Sequence, residues 1–324
     1  MNILITGGAG FIGSHLSETL KKRNDHVVVI DDLSTGAYSN IAHLIDNKNF
    51  HFIVDTILNR DTLERLVQES QLIFHLAASV GVRRIVDKPV NTIETNVLGT
   101  HAVLSLAAKY NRKVVLFSTS EVYGKNNKLP YRESDDCVFG TTLKSRWSYG
   151  CTKALDEFLG LAYHKESGLP IVIVRVFNTI GPRQTGRYGM VVPTFIRQAL
   201  KQEPITVFGD GTQTRCFTYV GDLVNAVITL SSKKEAEGEI FNIGSTEEIT
   251  IKELAQKIKE KTGSNSSIVF IPYSDAYEEG FEDMLKRRPD ISRINKLIGY
   301  EPEVSLDEAL DVIISYERRI LNID

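Results

Sequence analysis

The run Ile3-Leu4-Ile5-Thr6 breaks directly into Gly7-Gly8-Ala9-Gly10-Phe11-Ile12-Gly13, after which apolar residues take up helical spacing. A strand, a glycine turn and a helix in that order restrict the chain to a small set of α/β folds. Both Gly8-x-Gly10-x-x-Gly13 and Gly7-x-x-Gly10-x-x-Gly13 satisfy the dinucleotide pattern. Glycines permit the tight turn and let backbone N–H groups approach a pyrophosphate at the helix N-terminus, where the macrodipole favours an anion. The second apolar run, Val27 to Ile30, ends in Asp31, an acidic residue about 20 positions on from the glycines. Its carboxylate can accept from adenosine ribose hydroxyls and would repel a 2′-phosphate, so NAD is expected rather than NADP. Asp55, after the third run, offers an acceptor to the adenine. The same glycines can simply pack a helix on a sheet while Asp31 caps a loop, but the combined pattern favours the cofactor.

Further along, short runs at Ile3 to Thr6, His26 to Ile30, His51 to Asp55, Leu72 to Leu76, Lys113 to Ser118 and Ile171 to Val176 read as strands. Helical spacing fills the intervals Ser14 to Arg23, Asp61 to Glu69, Asn96 to Lys109 and Thr152 to Lys165. Alternation of this kind predicts an α/β, Rossmann-type doubly wound parallel sheet. After Val176, frequent Gly and Pro weaken the alternation, which predicts an NAD-binding domain over 1–177 and a smaller mixed α/β substrate region over 178–324, interleaved with the sheet near 215–245. At 324 residues with net charge −3, nothing pulls the whole chain toward nucleic acid or anionic membrane. No apolar stretch suggests a transmembrane helix and the first residues do not resemble a signal peptide, so a cytoplasmic protein is expected. The three scattered cysteines, Cys137, Cys151 and Cys216, argue against a disulfide framework or a metal site, and Cys137 and Cys151 read mainly as small buried residues.

Tyr149 and Lys153 lie one helical turn apart, on one face. A phenol is too weakly acidic to act as a base at neutral pH, but a nearby ammonium and the positive nicotinamide ring favour the phenolate, which could then accept a proton from a substrate alcohol. Lys153 would also orient the cofactor ribose. The run Phe117-Ser118-Thr119-Ser120-Glu121 belongs at the carboxyl edge of the sheet, where the Thr119 hydroxyl can bridge Tyr149 and the substrate oxygen.

Over nearly its whole length the sequence resembles the extended short-chain dehydrogenase/reductases that act on nucleotide-sugars. The segments carrying the likeness are Thr6 to Gly13, Asp31-Asp32-Leu33-Ser34-Thr35-Gly36, His75-Leu76-Ala77-Ala78, Asn96-Val97-Leu98-Gly99-Thr100, Tyr149 with Lys153, and Phe177-Asn178-Thr179-Ile180-Gly181-Pro182-Arg183. The resemblance implies cofactor contacts from Gly7, Gly10, Phe11, Ile12, Gly13, Asp31, Asp32, Ser34, Thr35, Gly36, Asp55, Thr56, Leu76, Ala77, Ala78, Asn96, Ser118, Tyr149 and Lys153. It implies a catalytic set of Thr119, Tyr149 and Lys153, and a retained NAD that takes hydride from sugar C4. Nucleotide-sugar contacts are implied for Asn178, Val191, Val192, Phe208, Arg215 and Arg287, with Val80 and Gly81 near the sugar. Guanidinium forks at Arg215 and Arg287 suit pyrophosphate oxygens, although either can be a surface arginine.

Which product follows C4 oxidation turns on Glu121 and Ser120. Glu121 matches the base position of 4,6-dehydratases, whereas simple 4-epimerases lack an acid there. Ser120 is a far weaker acid than the aspartate such dehydratases carry, and Ser-Glu pairs resemble those of UDP-glucuronate decarboxylases and apiose/xylose synthases. A lyase step at C5/C6, either 4,6-dehydration or decarboxylation of a UDP-sugar, is therefore expected ahead of 4-epimerisation. Decarboxylation needs a cation for the sugar carboxylate, for which Arg183, Arg187 and Arg83-Arg84 are candidates; the likeness to apiose synthases also brings Cys137 toward the sugar. A homodimer is expected through the helices Asn96 to Lys109 and Thr152 to Lys165. The competing class, a non-catalytic NAD-binding scaffold, is disfavoured by the intact Thr119, Tyr149 and Lys153 set.

Overall fold

A computed structural model describes residues 1–80, 89–186, 189–272 and 284–323. Seven strands form one parallel sheet: β1 (Asn2–Thr6), β2 (His26–Asp31), β3 (Phe50–Val54), β4 (Leu72–His75), β5 (Lys113–Thr119), β6 (Ile171–Val176) and β11 (Glu239–Ile243), in the order β11-β6-β5-β4-β1-β2-β3. Leu4, Ile5, Ile73, Phe74 and Val114 to Leu116 are all fully buried. Parallel strands covered on both faces have no solvent side, which is why these segments read as unbroken apolar runs rather than alternating ones.

Helices cover both faces: α1 (Phe11–Lys22), α2 (Arg60–Glu69), α3 (Pro89–Lys109), α4 (Ser148–Ser167), α5 (Val191–Leu200) and α6 (Val220–Ser231) come first, followed by α7 (Ile251–Thr262), α8 (Ser292–Ile298) and α9 (Leu306–Leu321). One core holds Leu16 and Leu20 of α1 with Leu223 and Val227 of α6, and a second holds Leu63 of α2 with Val103 and Leu104 of α3. Helix α6 and strand β11 thus return to the large sheet from the second half of the chain, β11 pairing with β6 from Glu239↔Val172 to Ile243↔Val176. A separate core joins α5, α7 and α9 through Ile196, Leu254 and Leu310. Around it lie the pairs β8 (Ile205–Phe208) with β13 (Ile268–Ile271), and β9 (Thr214–Cys216) with β12 (Glu248–Thr250). Strand β7 (Thr179–Ile180) pairs with β10 (Thr218–Tyr219).

The first four helices all begin earlier than their apolar spacing predicts, α3 and α4 by the most. Helix α3 starts at Pro89, where a proline lacks only an N–H that the first turn would leave unbonded anyway. Helix α4 starts at Ser148 and stops at Gly168, whose φ of 70° supplies the left-handed cap. Tyr149 therefore sits in the first turn of α4, level with the carboxyl edge of the sheet. That edge, marked by Thr6, Asp31, His75, Thr119 and Val176, carries the site, and the order reverses there between β1 and β4.

Candidate active site

One cleft of about 1470 Å³ runs along this edge and continues between the large sheet and the α5–α7–α9 core. Pockets for a single drug-sized ligand span roughly 300–1,000 Å³, so the cleft has room for two extended ligands end to end. Gly7, Gly10, Phe11, Ile12, Gly13, Asp31, Asp32, Ser34, Thr35, Gly36, Asp55, Thr56, Leu76, Ala77, Ala78 and Ser118 line one half. Thr119, Ser120, Glu121, Tyr149 and Lys153 lie in the middle, and Asn178, Val191, Val192, Phe208, Arg215 and Arg287 line the other half; Val80 also faces the cleft.

The first half fits a dinucleotide on its own geometry. Gly7 has φ +73°, and a Cβ there would meet the Ala77 backbone nitrogen at 2.8 Å, so the β1 turn can hug β4 only as glycine. Gly10 caps α1 with no side-chain hydrogen bond, which leaves the helix N-terminus open to an anion. Asp31 accepts from Ala9 N at 3.0 Å and Leu33 N at 2.8 Å, which fastens the loop and keeps its carboxylate on the cleft wall. Burial raises its pKa and the backbone bonds from Leu33 and Ala9 oppose that rise.

At the centre the Thr119 hydroxyl accepts from Glu121 N at 3.2 Å and favours ionisation of the nearby Tyr149 phenol. Burial, then the carboxylates of Glu121 and Asp156, push the Tyr149 phenol well above its ordinary range; Thr119 and Arg146 pull the other way. The Lys153 ammonium donates to Asp156 Oδ2 at 2.9 Å, with both side chains buried. Glu121 is gripped on both sides: Arg287 Nη1 lies 2.5 Å from Oε1 and Arg146 Nη1 lies 2.6 Å from Oε2. Burial works against its ionisation, but Arg287 and Arg146, helped by Arg215, hold its pKa down at about 2.

Several expected residues hold polar partners of their own. Asn96 does not line the cleft: it is fully buried behind the wall, its Oδ1 accepting from Ser79 N at 2.7 Å and its Nδ2 donating to Thr152 Oγ1 at 3.3 Å. Ser118 lines the cleft, but its hydroxyl donates inward to Glu157, which also binds Arg175 through two oxygens. Asn178 faces the cleft while its Nδ2 donates to Cys216 O at 3.1 Å. Arg183 lines the cleft and also bonds α1, at Ser14 Oγ (3.3 Å) and Glu18 Oε2 (2.6 Å). Cys137 and Cys151 are exposed rather than buried and neither lines the cleft. Gly81, Arg83, Arg84 and Arg187 lie outside the described residues. Arg146 and Asp156 were not singled out as site residues, although their spacing from Tyr149 and Lys153 puts each within one turn of its partner.

The sequence pattern of the GDP-mannose 4,6 dehydratase family matches residues 4–313. The chain belongs to that family. Among relatives, a UDP-N-acetyl-alpha-D-glucosaminuronate decarboxylase of Bacillus cytotoxicus is 44% identical over 320 residues, covering 98% of each protein. UDP-glucuronic acid decarboxylase 1 of Arabidopsis thaliana is 38% identical over 327 residues, covering all of this chain and 72% of that protein. The crystal structure of a UDP-glucuronic acid 4-epimerase from Bacillus cereus, in complex with UDP-glucuronic acid and NAD, superposes with a TM-score of 0.88 at 35% identity, covering 99% and 100% of the two chains. This member of the GDP-mannose 4,6 dehydratase family thus shares its fold with nucleotide-sugar enzymes of more than one reaction type.

Proposed function

We propose that this chain is an NAD-dependent decarboxylase of a UDP-hexuronate. The observation that carries the reading is Glu121 held between Arg146 and Arg287 beside Tyr149. A carboxylate pinned by two guanidiniums, with its pKa held at about 2, is a poor base for removing a C5 proton, as 4,6-dehydration requires. Decarboxylation needs no such base. It needs cations to receive the sugar carboxylate and an electron sink at C4, and the two arginines offer the first. The names of the similar decarboxylases support the same outcome.

NAD, when bound, would supply reversible hydride transfer at sugar C4. The chain's own residues supply the rest. Tyr149 takes the proton of the C4 hydroxyl, with Thr119 holding that oxygen, and gives it back at the end. With C4 a ketone, the C5–carboxyl bond breaks, carbon dioxide leaves, and the electron pair rests on the C4 oxygen between Thr119 and Tyr149 until a proton arrives at C5. Asp31 and the open N-terminus of α1 suit the adenosine and pyrophosphate, Lys153 the nicotinamide ribose, and Arg215, Asn178 and Phe208 the nucleotide of the substrate. The intended division of labour is cofactor binding in 1–177 and substrate binding in 178–324. A homodimer is supported by a stripe of exposed apolar residues on α3 and α4, including Val90 and Phe158 at 68% and 70% exposure. Three free thiols suit a reducing, cytoplasmic setting.

The test is incubation with UDP-glucuronate, UDP-N-acetylglucosaminuronate and UDP-glucose, with the product mass measured. Loss of carbon dioxide from a uronate bears the proposal out. Loss of water, or a change of configuration at constant mass, replaces it by dehydration or epimerisation.

A further inference from the structure

Lys153 is not a lone ammonium beside Tyr149. Its partner Asp156 is buried, as is a polar chain that starts next to the glycine turn. The Ala77 N–H donates to Thr6 Oγ1 at 3.2 Å, Thr6 Oγ1 meets His75 Nδ1 at 2.7 Å, and His75 Nε2 meets Thr100 Oγ1 at 3.1 Å. Burial raises the Asp156 pKa, and Lys153 and the Thr100 hydroxyl oppose that rise. Thr6, His75, Thr100 and Asp156 are each no more than 1% exposed. Burial, with the Lys153 charge nearby, lowers the His75 pKa to about 3, so the ring is neutral. Thr6 donating to Nδ1 and Nε2–H donating to Thr100 satisfy the neutral ring, and the hydrogen bond that holds Asp156 is the one from Lys153 to Oδ2.

We propose that Asp156 is a positioning residue: it anchors the Lys153 ammonium and offsets its charge, so that Tyr149 ionises only when a bound cofactor adds its own positive ring. This rests on the reading of Tyr149 as the base. The charged groups facing Tyr149 are Glu121 from the turn after β5, Arg146 just before α4, and Asp156 with Lys153 from α4 itself; Arg287 stands behind Glu121. Two carboxylates oppose the phenolate and one of the cations is already engaged by Asp156, which leaves the resting tyrosine protonated.

The experiment replaces Asp156 in the NAD-loaded protein. In Asp156→Asn, the Tyr149 phenolate, read as near-ultraviolet tyrosinate absorbance against the same protein carrying Tyr149→Phe, is expected to form about one pH unit lower, at the small end of the shift a neighbouring charge gives. The acidic limb of kcat moves down with it. Asp156→Glu, which returns the charge, brings both back toward wild type. If Asp156→Asn does not fold, Asp156→Ser serves instead: it too removes the carboxylate, and the phenolate forms at lower pH. A titration unchanged in the variant that folds overturns the proposal. Should Tyr149→Phe retain wild-type turnover, the reading of the base fails instead, which separates the two failures.

Discussion

Glu121 Oε1 and Arg287 Nη1 lie 2.5 Å apart, which joins the turn after β5 to a segment of the second half of the chain. The residue expected to act as a base and the arginine expected to hold pyrophosphate thus share one ion pair. An incoming anionic substrate meets a site whose cations are already partly neutralised, so binding must redistribute these bonds rather than add charge to an empty pocket.

A depressed carboxylate pKa makes Glu121 an acid-sensitive contact. Because its pKa is about 2 in the folded chain against an ordinary 4.5, its contribution is present above the unfolded value and is lost as pH falls from about 4.5 through about 2. Glu121→Gln should therefore be less stable than wild type at neutral pH, by up to a few kcal/mol, because two guanidiniums lose their counter-charge. The gap should narrow on acidification toward pH 3. Denaturant unfolding of both proteins at the two pH values checks this, and a gap independent of pH would contradict the ion-pair account.

Tyr149→Phe removes only the phenolic oxygen. Turnover of every UDP-sugar tested should fall by about 10²–10⁴-fold, the usual contribution of a positioned proton-transfer group. NAD affinity, measured by calorimetry, should stay within a factor of about two, since Asp31 and the glycine turn are untouched.

Asp31 has two tasks, tying the loop through Ala9 N and Leu33 N and facing the cleft. Asp31→Asn keeps an acceptor but removes the charge. NAD binding should weaken by about tenfold or more, as expected for a lost charge-assisted hydrogen bond, while NADP, no longer repelled, should lose less. Direct titration with the two cofactors gives the ratio; an unchanged preference would detach Asp31 from cofactor choice.

Much of this was legible in the sequence because it is encoded locally. Each buried parallel strand announces itself as an apolar run, and the glycine turn and the Tyr149–Lys153 spacing each lie within one segment. Helix starts were less legible: Pro89 and Ser148 begin α3 and α4 before any apolar period is established. The grip of Arg287 on Glu121 has no local signature at all, since only the finished fold brings the two segments together. The Arg183–Glu18 pair is equally hidden, since its two residues lie far apart in the sequence. Asp156 was within reach, one turn beyond Lys153, but that both side chains are buried as a pair is visible only in the finished fold.

Helix α4 presents Leu155 and Phe158 outward, 49% and 70% exposed, beside Val90 and Leu98 of α3. These residues are not core, because the inner face of α4 is already filled by Ala154, Asp156, Glu157 and Gly160. An apolar stripe on two adjacent helices is costly to leave in water, and a second copy of the same stripe meeting it about a two-fold axis would cover both. Phe158→Asp would place two carboxylates at the centre of that contact. Sedimentation velocity should show wild type as a dimer and the variant as a monomer, with the circular dichroism of the fold retained. If the variant sediments as wild type does, the copies do not meet through α4.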